Sequence, residues 1–155
     1  MIRKKLKSLF NKKSVLITGG TGSLGNELTK IFLKEYNLRR LVIFSRDELK
    51  QSEMAKNYKK IDQDGILRFF LGDVRDAERL KFAMKDIDFV VHAAALKHVD
   101  LAEYNPIEYV NTNIVGAKNV IESAFDKDVL KVVALSTDKA ANPVNLYGAT
   151  KLASD

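Results

Sequence analysis

The chain has 155 residues, 46% hydrophobic and 30% charged, with no cysteine, two histidines and a formal net charge of +6. That length holds one ordinary domain with a real core, and the composition excludes a disordered chain. The absence of cysteine excludes a disulfide framework and thiolate metal sites, and His92 and His98 are too few for a familiar zinc cluster, so no metal is expected.

The charge is concentrated at the start. Residues 1–13, MIRKKLKSLFNKK, hold Arg3, Lys4, Lys5, Lys7, Lys12 and Lys13 and no acid. Without those six, the 26 basic residues of the chain fall to 20, equal to its 20 acids. The body is therefore neutral, and nucleic acid is not an expected partner. Ile2, Leu6, Leu9 and Phe10 would share a helical face that could rest on an anionic membrane, but four apolar residues make a weak anchor. A helix packed on its own domain, or a solvated tail, is the preferred reading. No apolar run approaches the ~20 residues of a membrane span and no secretory pattern opens the chain, which points to the cytoplasm.

From residue 14 onward, strand-like and helix-like segments alternate, giving a basic tail at 1–13 and one domain over 14–155. Residues 14–18 form a short apolar run ending in glycines, as a buried parallel strand does. Leu24, Leu28, Ile31 and Phe32 then mark a helical stripe. Residues 41–44 read as a second strand and 47–60 as a polar helix. A third strand is expected at 67–71, then a short helix over 77–84 capped by Asp76, and a fourth strand at 89–92. A long helix fits 106–125, with Pro106 in its first turn. The fifth strand fits 129–135, followed by a turn at Asn142-Pro143 and a helix from about Asn145. Strands alternating with helices predict an α/β fold: a doubly wound, Rossmann-type parallel sheet in the order 3-2-1-4-5.

The segment VLITGGTGSLGNEL spaces Gly19, Gly22 and Gly25 between the first strand and a helix, a variant of the dinucleotide fingerprint. Gly19, Thr21, Gly22, Ser23, Leu24 and Gly25 are thus candidates to approach a pyrophosphate. Where the second strand ends, Ser45-Arg46 replaces the acidic ribose reader of an NAD site, and a guanidinium suits a 2′-phosphate. Lys50 can assist, so the expected cofactor is NADP. Asp73 and Val74 are placed for the adenine edge, and Ala93, Ala94 and Ala95 for a small-residue floor. Tyr147 and Lys151, four apart, share a helical face, where an ammonium can stabilise a phenolate.

The glycine loop, SRDELKQSEMA, GDVRD, HAAALKHV, AEYNP and STDKAANPVNLYGATKLASD together resemble the extended short-chain dehydrogenase/reductase superfamily. More narrowly, they resemble the configuration-inverting UDP-N-acetylglucosamine 4,6-dehydratases, over about 14–155. The resemblance implies a bacterial, cytoplasmic enzyme acting on UDP-N-acetylglucosamine in the pseudaminic acid route to surface glycans. It implies that Tyr147, assisted by Lys151, takes the 4-hydroxyl proton as hydride leaves carbon 4 for NADP. It assigns Lys139 to the proton on carbon 5, Asp138 to the departing 6-hydroxyl, and Thr137 to the neighbourhood of the 4-oxygen. It brings Lys97 near nicotinamide and substrate, Asn113 to the support of the catalytic lysine, and Ser136 to the cofactor. Related dTDP-glucose dehydratases have Asp-Glu where this chain has Asp138-Lys139, and retaining UDP-N-acetylglucosamine dehydratases have methionine at Tyr147. Family members continue through further strands and form homo-oligomers, so the chain is expected to be the cofactor-binding half, inactive by itself. Its last helix is short enough to be marginal alone. A UDP-sugar 4-epimerase is the alternative enzyme, and a non-catalytic nucleotide-binding or oligomerisation module the alternative from another class.

Overall fold

The computed structural model describes residues 2–155, with side chains from Lys5 onward, so the expected facing of Ile2 lies outside the described residues. Strands β1 (Ser14–Thr18), β2 (Arg40–Ser45), β3 (Leu67–Leu71), β4 (Phe89–His92) and β5 (Lys131–Ala134) form one sheet in the order β3-β2-β1-β4-β5. Every pairing is parallel, which bears out the doubly wound topology. β1 is central, with Leu16 opposite Val42 on one side and Val90 on the other.

Successive side chains of a strand point to opposite faces, and two cores result. Leu16, Val42, Phe44 and Val90 pack with Leu80 of α4 (Ala77–Ala83) and Val120 of α7 (Gly116–Asp126). Val15, Ile17, Leu41 and Ile43 pack with Phe32 of α2 (Ser23–Glu35) and Met54 of α3 (Glu48–Tyr58). Both faces are covered, so β1 and most of β2 are buried without a break, and their sequences are continuously apolar rather than alternating. Complete burial of a side chain such as Leu16 contributes roughly 1.5–3 kcal/mol.

Three expectations change. On α2, Leu24 and Ile31 are exposed, and the buried positions are Gly25, Thr29 and Phe32. Thr29 turns inward because its hydroxyl donates to the Gly25 carbonyl at 2.7 Å. The single helix over 106–125 is three pieces: α6 (Pro106–Tyr109), a π-helical segment (Val110–Val115) and α7. The wider turn carries Thr112 and Asn113 into the interior, and apolar periodicity cannot register a polar pair turned inward. An unanticipated helix, α5 (Val99–Tyr104), joins α6 and α8 (Leu146–Ser154) in a third cluster of Ala102, Tyr109 and Tyr147. α8 is capped by the Asn145 side chain, which accepts from Gly148 N–H at 2.8 Å, and four of its residues are buried.

Helix α1 (Ile2–Phe10) ends in a ring that docks on the domain. Phe10 meets Phe32, Tyr36 and Phe89 edge-on, with centroids 5.3, 5.4 and 5.1 Å apart. Just beyond it, Lys13 pairs with Asp88 at 2.9 Å, and the same carboxylate accepts from Ser14 N–H at 2.8 Å. Phe10→Ala removes three edge-to-face contacts and should cost about 2–4 kcal/mol. Urea denaturation of the two proteins measures it; a loss under ~0.5 kcal/mol, the range of ordinary surface substitutions, would show that α1 is not part of the fold.

Candidate functional site

The chain leaves β1 and β4 toward opposite faces of the sheet, and a cleft of about 580 Å³ opens beyond their C-terminal ends. Gly19 turns there with φ +63°, and a Cβ on it would stand 2.8 Å from the Ala94 backbone. Only glycine allows both the left-handed turn and that approach. Gly22 caps α2 without a side-chain bond, leaving the first-turn amides unclaimed, as an anion requires. Asn26 holds the loop by donating to the Thr21 and Gly22 carbonyls, both at 3.0 Å. Thr21 and Ser45 share a hydroxyl–hydroxyl bond of 2.8 Å, tying the loop to the end of β2.

Around β2 and β3 the wall is charged. Arg46 approaches Asp73 at 3.3 Å, Lys50 approaches Asp47 at 3.3 Å, and Asp47 caps α3. Burial pushes the Asp73 carboxyl up, but hydrogen bonds from Arg75 and the Arg46 charge outweigh it, and the net direction is down.

At the other end, Tyr147 and Lys151 of α8 are both buried against the cleft. Lys151 Nζ donates to the Leu135 carbonyl at 2.6 Å, and burial lowers its pKa despite the nearby Asp155. Beneath them lies His92, 5% exposed. Thr18 Oγ1 accepts from Ala93 and Ala94 N–H at 3.2 and 3.3 Å, so its own proton is left for His92 Nδ1 at 2.7 Å. This network assigns the neutral ring the tautomer with its proton on Nε2. Burial, and then the Lys151 charge, push the His92 pKa down to about 4.

Most residues expected from the sequence meet in this one cleft: Gly19, residues 21–25, Ser45, Arg46, Lys50, Asp73, Val74, residues 93–95, Lys97, Ser136, Tyr147 and Lys151. Four do not line it. Asn113 is 2% exposed, accepts from Leu96 N–H at 2.9 Å, and donates to the Leu96 carbonyl and to Thr150 Oγ1, both at 3.0 Å. Its amide fixes the 96 loop to α8, the helix that carries Lys151, and it stands behind the cleft rather than in its wall. Thr137, Asp138 and Lys139 stand beside the cleft in a 3-10 turn (Asp138–Ala140) after β5. Thr137 and Lys139 are each bonded to Asp138, at 3.0 and 3.4 Å. The Thr137 hydrogen bond, then Lys139, hold the Asp138 carboxyl below its usual value, the opposite of what an acid needs. That turn is seated on α8, because a Cβ at Gly148 would overlap the Lys139 carbonyl oxygen. Among the described residues, no group of three His, Asp or Glu is arranged to hold a metal.

The cleft also contains His92, Asp47, Phe44, Leu135 and Thr112, which sequence reasoning did not select. His92 carried a signal, a polar residue closing an apolar strand. Thr112 carried none; its hydroxyl is buried without a partner beside the cleft.

A family described as polysaccharide biosynthesis protein matches residues 15–155. The chain belongs to that family. It is 60% identical over 147 residues to a UDP-N-acetylglucosamine 4,6-dehydratase (inverting) of Campylobacter jejuni, covering 95% of this chain and 43% of that protein. It is 48% identical over 148 residues to a UDP-glucose 4-epimerase of Rickettsia bellii, covering 92% and 42%. Among solved structures, Pen from Bacillus thuringiensis superimposes with a TM-score of 0.88 at 43% identity, covering 94% of this chain and 43% of that one. The dTDP-glucose 4,6-dehydratase DesIV of Streptomyces venezuelae, with NAD and TYD bound, superimposes with 0.78 at 26% identity, covering 91% and 49%. The family resemblance read from the motifs is borne out, and the chain spans less than half the length of these relatives.

The neutral His92 makes stability depend on pH. Its folded pKa of about 4 lies below the ordinary value of 6.5, so the unfolded chain binds the proton more readily. The contribution is complete above pH ~6.5 and is lost as pH falls through ~4, on the order of 3 kcal/mol in all. Urea midpoints measured from pH 7.5 to 4 should fall steeply in the wild type and less in His92→Gln. Equal slopes in the two proteins would show that the ring is not held neutral.

Proposed function

We propose that the protein is the cofactor-binding part of an NADP-dependent, configuration-inverting UDP-N-acetylglucosamine 4,6-dehydratase of bacterial surface-glycan synthesis. Support for a dinucleotide comes from the glycine cradle, the uncapped α2 amides and a cleft that runs from Arg46 to Lys151. Ser45, Arg46 and Lys50 would hold a 2′-phosphate, Asp73 and Val74 the adenine, and Lys97, Ser136, Tyr147 and Lys151 the nicotinamide end. When bound, NADP would accept hydride from carbon 4 of the sugar and return it to carbon 6.

The remaining steps fall to side chains. Tyr147 takes the 4-hydroxyl proton, and the adjacent Lys151 ammonium stabilises the phenolate. The ketone at carbon 4 acidifies carbon 5, whose proton passes to Lys139. Asp138 gives a proton to the departing 6-hydroxyl, which leaves as water, while Thr137 bonds near the 4-oxygen. A proton returned to carbon 5 on the opposite face inverts that centre.

The observation that carries the dehydratase reading is the seating of the Lys139 turn on α8, beside Tyr147. A simple 4-epimerase has no use for a base at carbon 5, yet a relative bearing that name is 48% identical, so epimerisation is the competing activity. One experiment separates them. In the protein at the length of its relatives, incubated with UDP-N-acetylglucosamine and NADP in deuterium oxide, a dehydratase incorporates deuterium at carbon 5. Lys139→Ala should reduce that incorporation at least ~100-fold, the usual worth of a positioned base, while leaving oxidation at carbon 4 possible. Turnover without label at carbon 5 would establish the epimerase, and undiminished incorporation in the variant would remove Lys139 as the base.

A further inference from the structure

We propose that Arg75, from outside the cleft, sets the cofactor preference by occupying Asp73, so that Arg46 is left free for a 2′-phosphate. The inference rests on the reading of the cleft as an NADP site. Arg46 and Asp73 both line the cleft and Arg75 does not. Two guanidiniums therefore converge on one carboxylate, and their holds on it are unequal.

Arg75 makes three hydrogen bonds to Asp73: backbone N–H to Oδ1 at 2.9 Å, and Nε and Nη2 to Oδ2 at 2.9 and 2.7 Å. Its remaining nitrogen, Nη1, donates to Glu108 of α6 at 2.7 Å. The guanidinium is thus fixed at both ends. Arg46 reaches the same Oδ2 through one nitrogen at 3.3 Å. Charge-assisted pairs are strongest when short and bidentate, so Arg75 is the firm partner and Arg46 the loose one. Hydrogen bonds from Arg75 are also the first influence offsetting the upward push of burial on the Asp73 carboxyl.

This ordering has a consequence for phosphate recognition. A 2′-phosphate drawn to Arg46 must come close to Asp73, since the two side chains are in contact. An unneutralised carboxylate there would repel the phosphate and compete for the guanidinium. With Arg75 in place, the carboxylate is already paired and Arg46 can turn to an incoming anion. Arg75 is therefore a positioning residue that acts through Asp73, while Glu108 holds it in register.

Calorimetric titration with NADPH and NADH, which differ by the 2′-phosphate alone, tests this in the 155-residue chain. The wild type should prefer NADPH. Arg75→Gln should reduce that preference about tenfold by weakening NADPH and leaving NADH unchanged. Adding Asp73→Asn to Arg75→Gln removes the carboxylate that needed a partner, and the ratio of the two affinities should recover. Loose packing alone would weaken both nucleotides and would not be rescued. An undiminished preference in Arg75→Gln, or no recovery in the double variant, overturns the role of Arg75 while leaving the NADP site standing. A wild type that binds the two equally, or binds neither, overturns the NADP reading and this inference with it.

Discussion

One backbone contact governs the floor of the cleft: Gly19 lies against Ala94 so closely that a Cβ would stand 2.8 Å from its Cα and amide nitrogen. The contact joins the loop after β1 to the loop after β4, the two neighbours from which the chain departs in opposite directions. Thr18 reinforces it from beneath, accepting from the amides of Ala93 and Ala94 while donating to His92. A side chain at position 19 would push these loops apart and fill the space between them. The absent Cβ therefore keeps the strand ends together and the crevice above them open, and the uncapped amides of α2 follow from where that loop delivers the chain. Packing at the centre of the sheet and access to an anion are consequences of the same contact.

The far end of the cleft is built differently, from buried polar groups. Lys151 is an ammonium largely removed from water, a placement that disfavours its charged form. The Leu135 carbonyl offsets part of that cost at 2.6 Å. The helix that carries it is held by Asn113, whose amide bonds both to the 96 loop and to Thr150, and Asn113 faces inward because the 110–115 segment widens into a π turn. A local departure from α-helical geometry is thus linked, through one amide, to the position of the Tyr147–Lys151 pair. π segments often occur where a side chain must be re-aimed, and here the re-aimed residue holds a helix rather than a ligand.

What was legible in the sequence follows from this division. β1 and β2 could be read because burial on both faces demands uninterrupted apolar runs, and the starts of α3, α4 and α8 because Asp47, Asp76 and Asn145 carry local cap chemistry. The glycine spacing and the pair four residues apart are likewise local, and they brought most of the cleft with them. The inward turn of Thr112 and Asn113 was not legible, since it depends on a loop seventeen residues away. Helix α5 is six residues long and is stabilised by Tyr109 and Tyr147 rather than by its own pattern. Arg75 reads as an ordinary loop arginine until Asp73 and Glu108 are brought to either side of it. Position along the chain carries the backbone chemistry; the charge networks depend on what the fold brings together.

The two halves of the proposed chemistry differ in how complete they are. Tyr147 and Lys151 are buried against the cleft, whereas Asp138 and Lys139 are exposed at the edge of the sheet, and the match covers 43% of the dehydratase relative. Exposure decides what Asp138 can do. Its carboxyl is held down by Thr137 and Lys139, and in that condition it is ionised near neutral pH and cannot give a proton. Covering the turn with a sugar would strip water from it, which pushes a carboxyl up. If Thr137 turned to the sugar as well, the hydrogen bond that holds Asp138 down most strongly would be lost. Both changes move Asp138 toward the protonated form that an acid at carbon 6 requires, and neither is available to an open turn. On the proposed mechanism, the acid is thus created by the substrate complex and does not stand ready in the open turn.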